Sequence, residues 1–419
     1  MSLQTDCIEM PRAHYVALPP APNPARSKAA EWQTAKLWNP FNSNKLLAHV
    51  ERWKRIRRGR PIPAPALVTV DPANVCNFNC AWCNAEYIRE HRNLQLSGTV
   101  LSKIAHFLPR WGRQSFGDFG VDAVCIAGGG EPLLNPATAG FVDELAANGV
   151  EVGMVTNGSH IYEYMDALAQ CTWIGVSVDA GTAATFNALK GLGERKNIFD
   201  AVIGNMALLT DYARSRHARL GAPHPAYGVS YKYLLCPENI GEVFAATKLA
   251  KSIGCKNIHF RPAGTPWDKI GTPHEIRFSE DDIDLFNEQI ALAMELDDDT
   301  FSVYGITHKF AEQFERSNCF AHCHSLFMTA VIAPPSSRQA PDDSFVLGLC
   351  CDRRGDSKLE LLSDEEDVER INAVWGGKSH WKMHDGINIA AECPRCTYQP
   401  HNQIYEQVIL NDSMTYKFI

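Results

Sequence analysis

Between Leu67 and Arg261 one pattern repeats six times: a short β-branched run, a loop, then a longer amphipathic stretch. The predicted strands are 66–70 (ALVTV), 123–127 (AVCIA), 151–155 (EVGMV), 173–178 (WIGVSV), 227–235 (YGVSYKYLL) and 257–261 (NIHFR). Alternation of this kind favours a parallel sheet with right-handed crossovers, because helices must then cover the strands' buried faces. The expected fold class is therefore α/β. Six units over this length suit a partial (β/α)6 barrel, with a full eight-unit barrel or a doubly wound sheet as alternatives. In either architecture chemistry belongs at the C-terminal ends of the strands. Unusual residues do cluster there, at 71–83, 128–132, 156–158, 177–181 and 261–264.

The pattern also divides the chain. Residues 1–65 form an N-terminal extension, a Pro- and Ala-containing lead followed by a predicted short helix from Lys45 to Arg58 and the basic run RWKRIRRGR. Residues 66–265 carry the repeats. Residues 266–419 begin with an acidic helical stretch, FSEDDIDLFNEQIALAMELDDD, and become loop-rich. Forty Lys and Arg against 48 Asp and Glu give a formal charge of −8, which disfavours an extended nucleic-acid surface. The six basic residues of 52–60 leave RNA as a minor alternative partner. No apolar run approaches a membrane span and no signal-peptide pattern opens the chain, so a cytoplasmic protein is expected.

Fourteen cysteines are many for such a chain, and reducing conditions favour metal binding over disulfides. Cys7, Cys125, Cys171, Cys236 and Cys255 stand alone and read as small buried hydrophobes or a tail thiol. Cys76, Cys80 and Cys83 follow the first strand in C-x3-C-x2-C spacing. Three thiolates on one loop can hold three irons of a cubane and leave the fourth iron open to an external ligand. Zinc is the alternative, although structural zinc wants a fourth ligand at short spacing and none follows nearby.

This loop, with Trp82 before its last cysteine, resembles the signature of the radical S-adenosylmethionine superfamily. The resemblance implies an enzyme whose [4Fe-4S] cluster on Cys76, Cys80 and Cys83 cleaves S-adenosylmethionine to a 5'-deoxyadenosyl radical, with Trp82 near the adenine. It also implies an external one-electron reductant of flavodoxin or ferredoxin type. AGGGEPLLNP resembles the family's second-strand motif, placing Gly129, Gly130 and Glu131 at the methionine ammonium, and VTNG resembles the third-strand end, placing Asn157 near the ligand. SVDAGT resembles the fourth-strand motif, in which Ser177 and Asp179 would bind the ribose or the methionine carboxylate. Lys190 falls where relatives carry a cation facing that carboxylate, with a solvated helix lysine as the alternative. Arg261, in HFRPAG, is a candidate contact to cofactor or substrate, or a buried ion pair. Lys232 interrupts an apolar strand and must meet a structural carboxylate or an anionic substrate.

Six further cysteines, Cys319, Cys323, Cys350, Cys351, Cys393 and Cys396, lie in the loop-rich tail. Their arrangement resembles the auxiliary-cluster domains called SPASM and Twitch. The resemblance implies one auxiliary [4Fe-4S] cluster on Cys319, Cys350, Cys393 and Cys396, with Cys323 or His324 as substitutes for Cys319 and a zinc site as the alternative. No cysteine follows Cys396, so a second auxiliary cluster has no cysteine ligands. Relatives act on small metabolites or on ribosomal peptides. The short Pro-rich lead leaves little room for a separate peptide-recognition domain, so a small-molecule substrate (a metabolite, sugar or nucleoside) is expected, with a peptide as the alternative and a non-enzymatic metal-cluster protein as a further one.

Overall fold

The computed structural model describes residues 43–83, 85–91, 93–193, 197–220, 228–264, 269, 272–273, 275–305, 320–393 and 396–410. Cys7 and Cys319 lie outside them. Ten strands form one sheet: β1 (Leu67–Val70), β2 (Ala123–Ile126), β3 (Glu151–Thr156), β4 (Trp173–Ser177), β5 (Val229–Leu235), β6 (Asn257–Pro262), β7 (Ser302–Gly305), β8 (Thr329–Ala333), β9 (Phe345–Gly348) and β10 (Glu360–Glu365). Their order is β10-β9-β8-β1-β2-β3-β4-β5-β6-β7. Strands β1 to β7 are parallel neighbours in sequence order, β8 pairs parallel with the free edge of β1, and β8, β9 and β10 form an antiparallel meander. The sheet does not close on itself; the fold is α/β, an open partial barrel.

Strand period explains which residues face the helices. Val68, Val70, Val124, Ile126, Val152, Met154, Ile174 and Val176 are all at most 1% exposed, one side of each strand packed away from water. The crossovers carry α1 (Gly98–Phe107), α2 (Thr138–Ala147), α3 (Ala183–Leu189), α4 (Ile198–Leu220), α5 (Val243–Ser252) and α6 (Glu280–Met294). Short polar side chains start three of them: Ser97 accepts from Val100 N at 3.1 Å, Thr182 from Thr185 N, and Ser279 forms a reciprocal capping box with Asp282. Ser97 Oγ also donates to Asp343 in the β8–β9 connection, fastening the tail meander to the barrel.

Two features extend the sixfold pattern. SVYG (302–305) is too short to declare itself by alternation, yet it adds β7 beside β6. Strands β8 to β10 join the same sheet, so the loop-rich tail shares the barrel's hydrogen-bonded framework. The described part of the N-terminal extension is a 3-10 turn, Ser43–His49, and a short helix, Val50–Trp53, packed on the tail. Tyr405 Oη donates to Ile56 O at 3.0 Å and Trp375 Nε1 to Pro63 O at 3.0 Å. Within the basic run, Arg52 is buried and bonds Ala64 O, Gly120 O and Asp122, while Arg58 stacks on Trp381 and meets Asp385. Among the described residues no helix is long and apolar enough to cross a membrane.

Candidate active site

The first cysteine loop leaves β1 and is clamped from three sides. From the second strand's end, Glu131 N donates to Val75 O at 2.7 Å, and a Cβ on Gly130 would stand 2.1 Å from that carbonyl oxygen. Only glycine lets the two backbones approach so closely. From the third strand's end, Asn157 Nδ2 donates to Asn77 Oδ1 at 2.7 Å and Ser159 Oγ accepts from Asn77 Nδ2 at 3.0 Å. From α3, Lys190 O and Leu189 O accept from Asn79 N and Ala81 N, and Gly191, at φ +62°, lies so near Asn79 O that a Cβ would meet it at 2.4 Å. Arg89 adds bonds to Phe78 O and Asn79 Oδ1.

Cys76, Cys80 and Cys83 are free, half-buried thiols on this loop. Burial pushes the Cys76 and Cys80 thiols up, and mutual repulsion between the three adds to it; Lys190 beside Cys80 works the other way. The donor set fits a [4Fe-4S] cluster: thiolates on a rigid loop, disfavoured as bare anions, with a cation beside them.

The residues assigned to S-adenosylmethionine divide into two groups. Glu131 is 2% exposed, and its carboxylate accepts from Leu133 N (3.1 Å), Thr156 Oγ1 (2.6 Å) and Asn157 N (2.7 Å). Burial raises its pKa and those bonds oppose the rise. Asp179, at φ +61° and fully buried, is ion-paired to Lys190 Nζ and accepts from Leu234 N at 2.6 Å. Burial disfavours the Lys190 ammonium, but Asp179 and Cys80 overcome this and its pKa is raised. Lys190 is thus not a solvated helix lysine; it joins the Asp179 turn to the cysteine loop. Trp82, 7% exposed, packs with Leu189, Cys236 and Ala263, its ring centroid 5.5 Å from Lys190 Nζ. Gly129 lies against Asn74 Oδ1, Gly130 against Val75 O, and Asn157 spends its side chain on Asn77 and Ser159. By contrast Ser177 is half-buried and Arg261 is open to water.

In the tail, four cysteines influence one another: Cys323 is coupled to Cys393, Cys350 and Cys396. Burial pushes the Cys323 thiol to about 12 and raises the Cys350, Cys393 and Cys396 thiols as well. Helix α7 (Gln399–Ile404) organises the group: Asn402 Oδ1 accepts from Ser325 N at 2.8 Å, while its Nδ2 faces Cys396 Sγ at 3.9 Å. Asp352 accepts from Thr397 N and Oγ1, joining the Cys350 loop to Cys396. His324, the other expected substitute, turns its ring to His384 and Glu406 instead. Zinc needs four ligands within about 2.0–2.3 Å of one point, and among the described residues no group is gathered for a single metal ion.

Sequence reasoning passed over one connection. Arg354 donates to Asp71 at the end of β1 (2.6 Å) and to Cys351 O (2.6 Å), bridging the tail to the barrel mouth. The charged run DRR directly after the CC dipeptide was the available signal.

Residues 70–218 match the model of the Radical SAM superfamily. No curated protein matches the sequence. Among solved structures, Streptococcus suis SuiB bound to precursor peptide SuiA aligns with a TM-score of 0.54 and 15% identity, over 84% of this chain and 72% of that one. SuiB bound to S-adenosylmethionine aligns at 0.51 and 13%, over 83% and 71%. AnSMEcpe with bound AdoMet and Cp18Cys peptide gives 0.49 and 16%, over 81% and 88%. At these identities the likeness to SuiB establishes the fold alone. With the superfamily match over the cysteine loop, the chain is an enzyme that uses S-adenosylmethionine and a [4Fe-4S] cluster.

Proposed function

We propose that this enzyme abstracts hydrogen from a peptide substrate, holding its S-adenosylmethionine cluster on Cys76, Cys80 and Cys83 and one auxiliary [4Fe-4S] cluster on Cys323, Cys350, Cys393 and Cys396. The superfamily match across residues 70–218, with those three free thiols on one clamped loop, carries the reading. The bound cluster and S-adenosylmethionine supply a 5'-deoxyadenosyl radical. The chain's own contribution is placement. Glu131, Asn157 and the Asp179–Lys190 pair fix the cysteine loop against the ends of β2, β3 and β4. Gly129, Gly130 and Ser177 offer backbone and a hydroxyl toward the cofactor. We read the tail site as an auxiliary cluster rather than zinc, and give Cys323 the place expected of Cys319, which lies outside the described residues, because Cys323 and the thiols of Cys350, Cys393 and Cys396 influence one another.

The small-metabolite expectation gives way to a peptide. SuiB holds a precursor peptide, and its likeness to this chain spans barrel and tail together. The N-terminal lead, whose brevity favoured a small molecule, does not bear on this, since its described part packs on the tail. A cytoplasmic location and a flavodoxin- or ferredoxin-type reductant complete the reading.

The test uses anaerobically reconstituted full-length protein, dithionite, S-adenosylmethionine and a synthetic peptide encoded beside the gene. 5'-Deoxyadenosine forms without peptide, rises with it, and disappears in the Cys76, Cys80, Cys83 triple Ala variant. Parent-level 5'-deoxyadenosine in that variant refutes the cluster assignment; no peptide mass change and no stimulation refute the peptide.

A further inference from the structure

The helix-facing sides of β5 and β6 are apolar, Tyr231, Tyr233, Ile258 and Phe260 being fully buried. Alternation therefore turns Lys232, His259 and Arg261 to the concave face. Register pairs Lys232 with His259 and Leu234 with Arg261. Two glycines shape the floor below them. A Cβ on Gly153 would meet Trp173 at 2.2 Å, and one on Gly175 would meet Lys232 Cε at 2.6 Å. Trp173 and the lysine stem so fill the bottom of the barrel, and Lys232 Nζ stands 5.6 Å from the Trp173 ring and 3.4 Å from His259 Nδ1.

Arg261 stands above this floor. Among the described residues no carboxylate bonds it: Asp179 is taken by Lys190 and Leu234 N, Asp352 by Thr397, and the third cation here, Arg354, already has Asp71. Loss of hydration is the largest influence on the guanidinium, opposed at longer range by Asp179, Asp352 and Cys351. Those neighbours locate it. Asp179 anchors the first cysteine loop through Lys190, and Cys351 and Asp352 follow Cys350 of the second group. Arg261 thus feels both the Asp179 turn that backs the first cysteine loop and the Cys351–Asp352 segment that follows Cys350. A guanidinium stays charged at any working pH and pairs carboxylates through two parallel bonds, so one that reaches open water on the concave face beside a second cation, without such a partner among the described residues, is a receptor for an anion.

We propose that Arg261, backed by Lys232, receives a carboxylate of the substrate. This deepens the peptide reading and rests on it: the peptide presents an Asp or Glu side chain, or its own C-terminal carboxylate, beside the reacting carbon.

Calorimetric titration of the cluster-loaded protein, saturated with S-adenosylmethionine, tests this with acetyl-Gly-Glu-Gly-amide, acetyl-Gly-Gln-Gly-amide and acetyl-Gly-Gly-Gly with a free C-terminus. One of the two carboxylate peptides binds roughly ten- to hundredfold more tightly than the Gln amide, and which one identifies the source. Arg261→Gln removes the preference, and Arg261→Lys, which keeps the charge, retains part of it and controls for folding. Equal or undetectable binding of all three peptides to the parent, or an undiminished preference in Arg261→Gln, overturns the proposal. Displacement of S-adenosylmethionine by the preferred peptide does so too, since Arg261 would then be reading the cofactor's carboxylate. Failure of the same preparation to form 5'-deoxyadenosine counts against the proposed activity while leaving the carboxylate preference readable.

Discussion

Replacing Gly130 with Ala perturbs the cysteine loop without touching a cysteine. The added Cβ would stand 2.1 Å from Val75 O, 2.6 Å from Val75 C and 2.7 Å from Asn74 C, all backbone atoms with no rotamer to escape into. Relief requires the Val75 carbonyl to move by about 1 Å or more, given ordinary contacts of 3.5–4.0 Å, and that motion breaks the 2.7 Å bond from Glu131 N. The bond is worth about 0.5–1.5 kcal/mol and overpacking about 1–3, so we expect about 2–4 kcal/mol of destabilisation. At an unfolding entropy of about 2.1 cal/mol/K per residue, 419 residues give about 0.9 kcal/mol/K, and Tm falls by about 2–5 °C. Because Val75 precedes Cys76, iron bound to the first loop falls as well. Gly140→Ala is the control: it lies exposed in α2 with nothing within 4 Å of its Cβ, and it stabilises by about 0.5–1 kcal/mol. Differential scanning fluorimetry of apo protein and iron assays after reconstitution read both effects. A Gly130→Ala protein with parental Tm and iron content would refute the clamp.

Three further outcomes follow from the site. Glu131→Gln sets an NH2 against Asn157 N and lowers Tm by about 1–2 °C, from roughly 1 kcal/mol, a modest loss because burial already raises the Glu131 pKa against its bonds; an unchanged melt with weakened S-adenosylmethionine affinity would return Glu131 to the ligand. Lys232, held down to about 7 from 10.5 by burial and then by Arg261, binds fewer protons folded than unfolded between those values, so stability rises with pH across that window. Lys232→Met removes the cost of the buried ammonium, on the order of 1–3 kcal/mol after screening, so its gain in Tm is largest below pH 7 and shrinks toward pH 10; an equal gain at pH 6 and pH 9.5 would show that folding leaves the lysine's pKa unshifted. Cys323→Ala halves reconstituted iron and sulfide, whereas Cys319→Ala leaves them near the parent level, and the reverse result would restore Cys319 as the ligand.

The repeat from Leu67 to Arg261 determined the α/β class, and the C-x3-C-x2-C loop pointed to the strand ends and to the first cluster's proposed ligands, because strand alternation and loop spacing are local and periodic. The same locality is silent where partners are distant. Glu131, Asp179 and Lys190 look like ligand contacts when each is read beside its own glycines. Only the packed barrel shows that their charges are spent on one another and on neighbouring backbone amides. Likewise Cys319 and Cys323 are equivalent in sequence, and spacing alone does not show that Asn402, 79 residues after Cys323, bonds Ser325 and faces Cys396. β7 and the tail strands gave little signal because four to six residues of alternation cannot be told from a loop, and a neighbouring edge decided their pairing. The sequence by itself determined which groups the chain carries; tertiary structure decided which of them pair with one another, since a buried charge must find its partner across the fold.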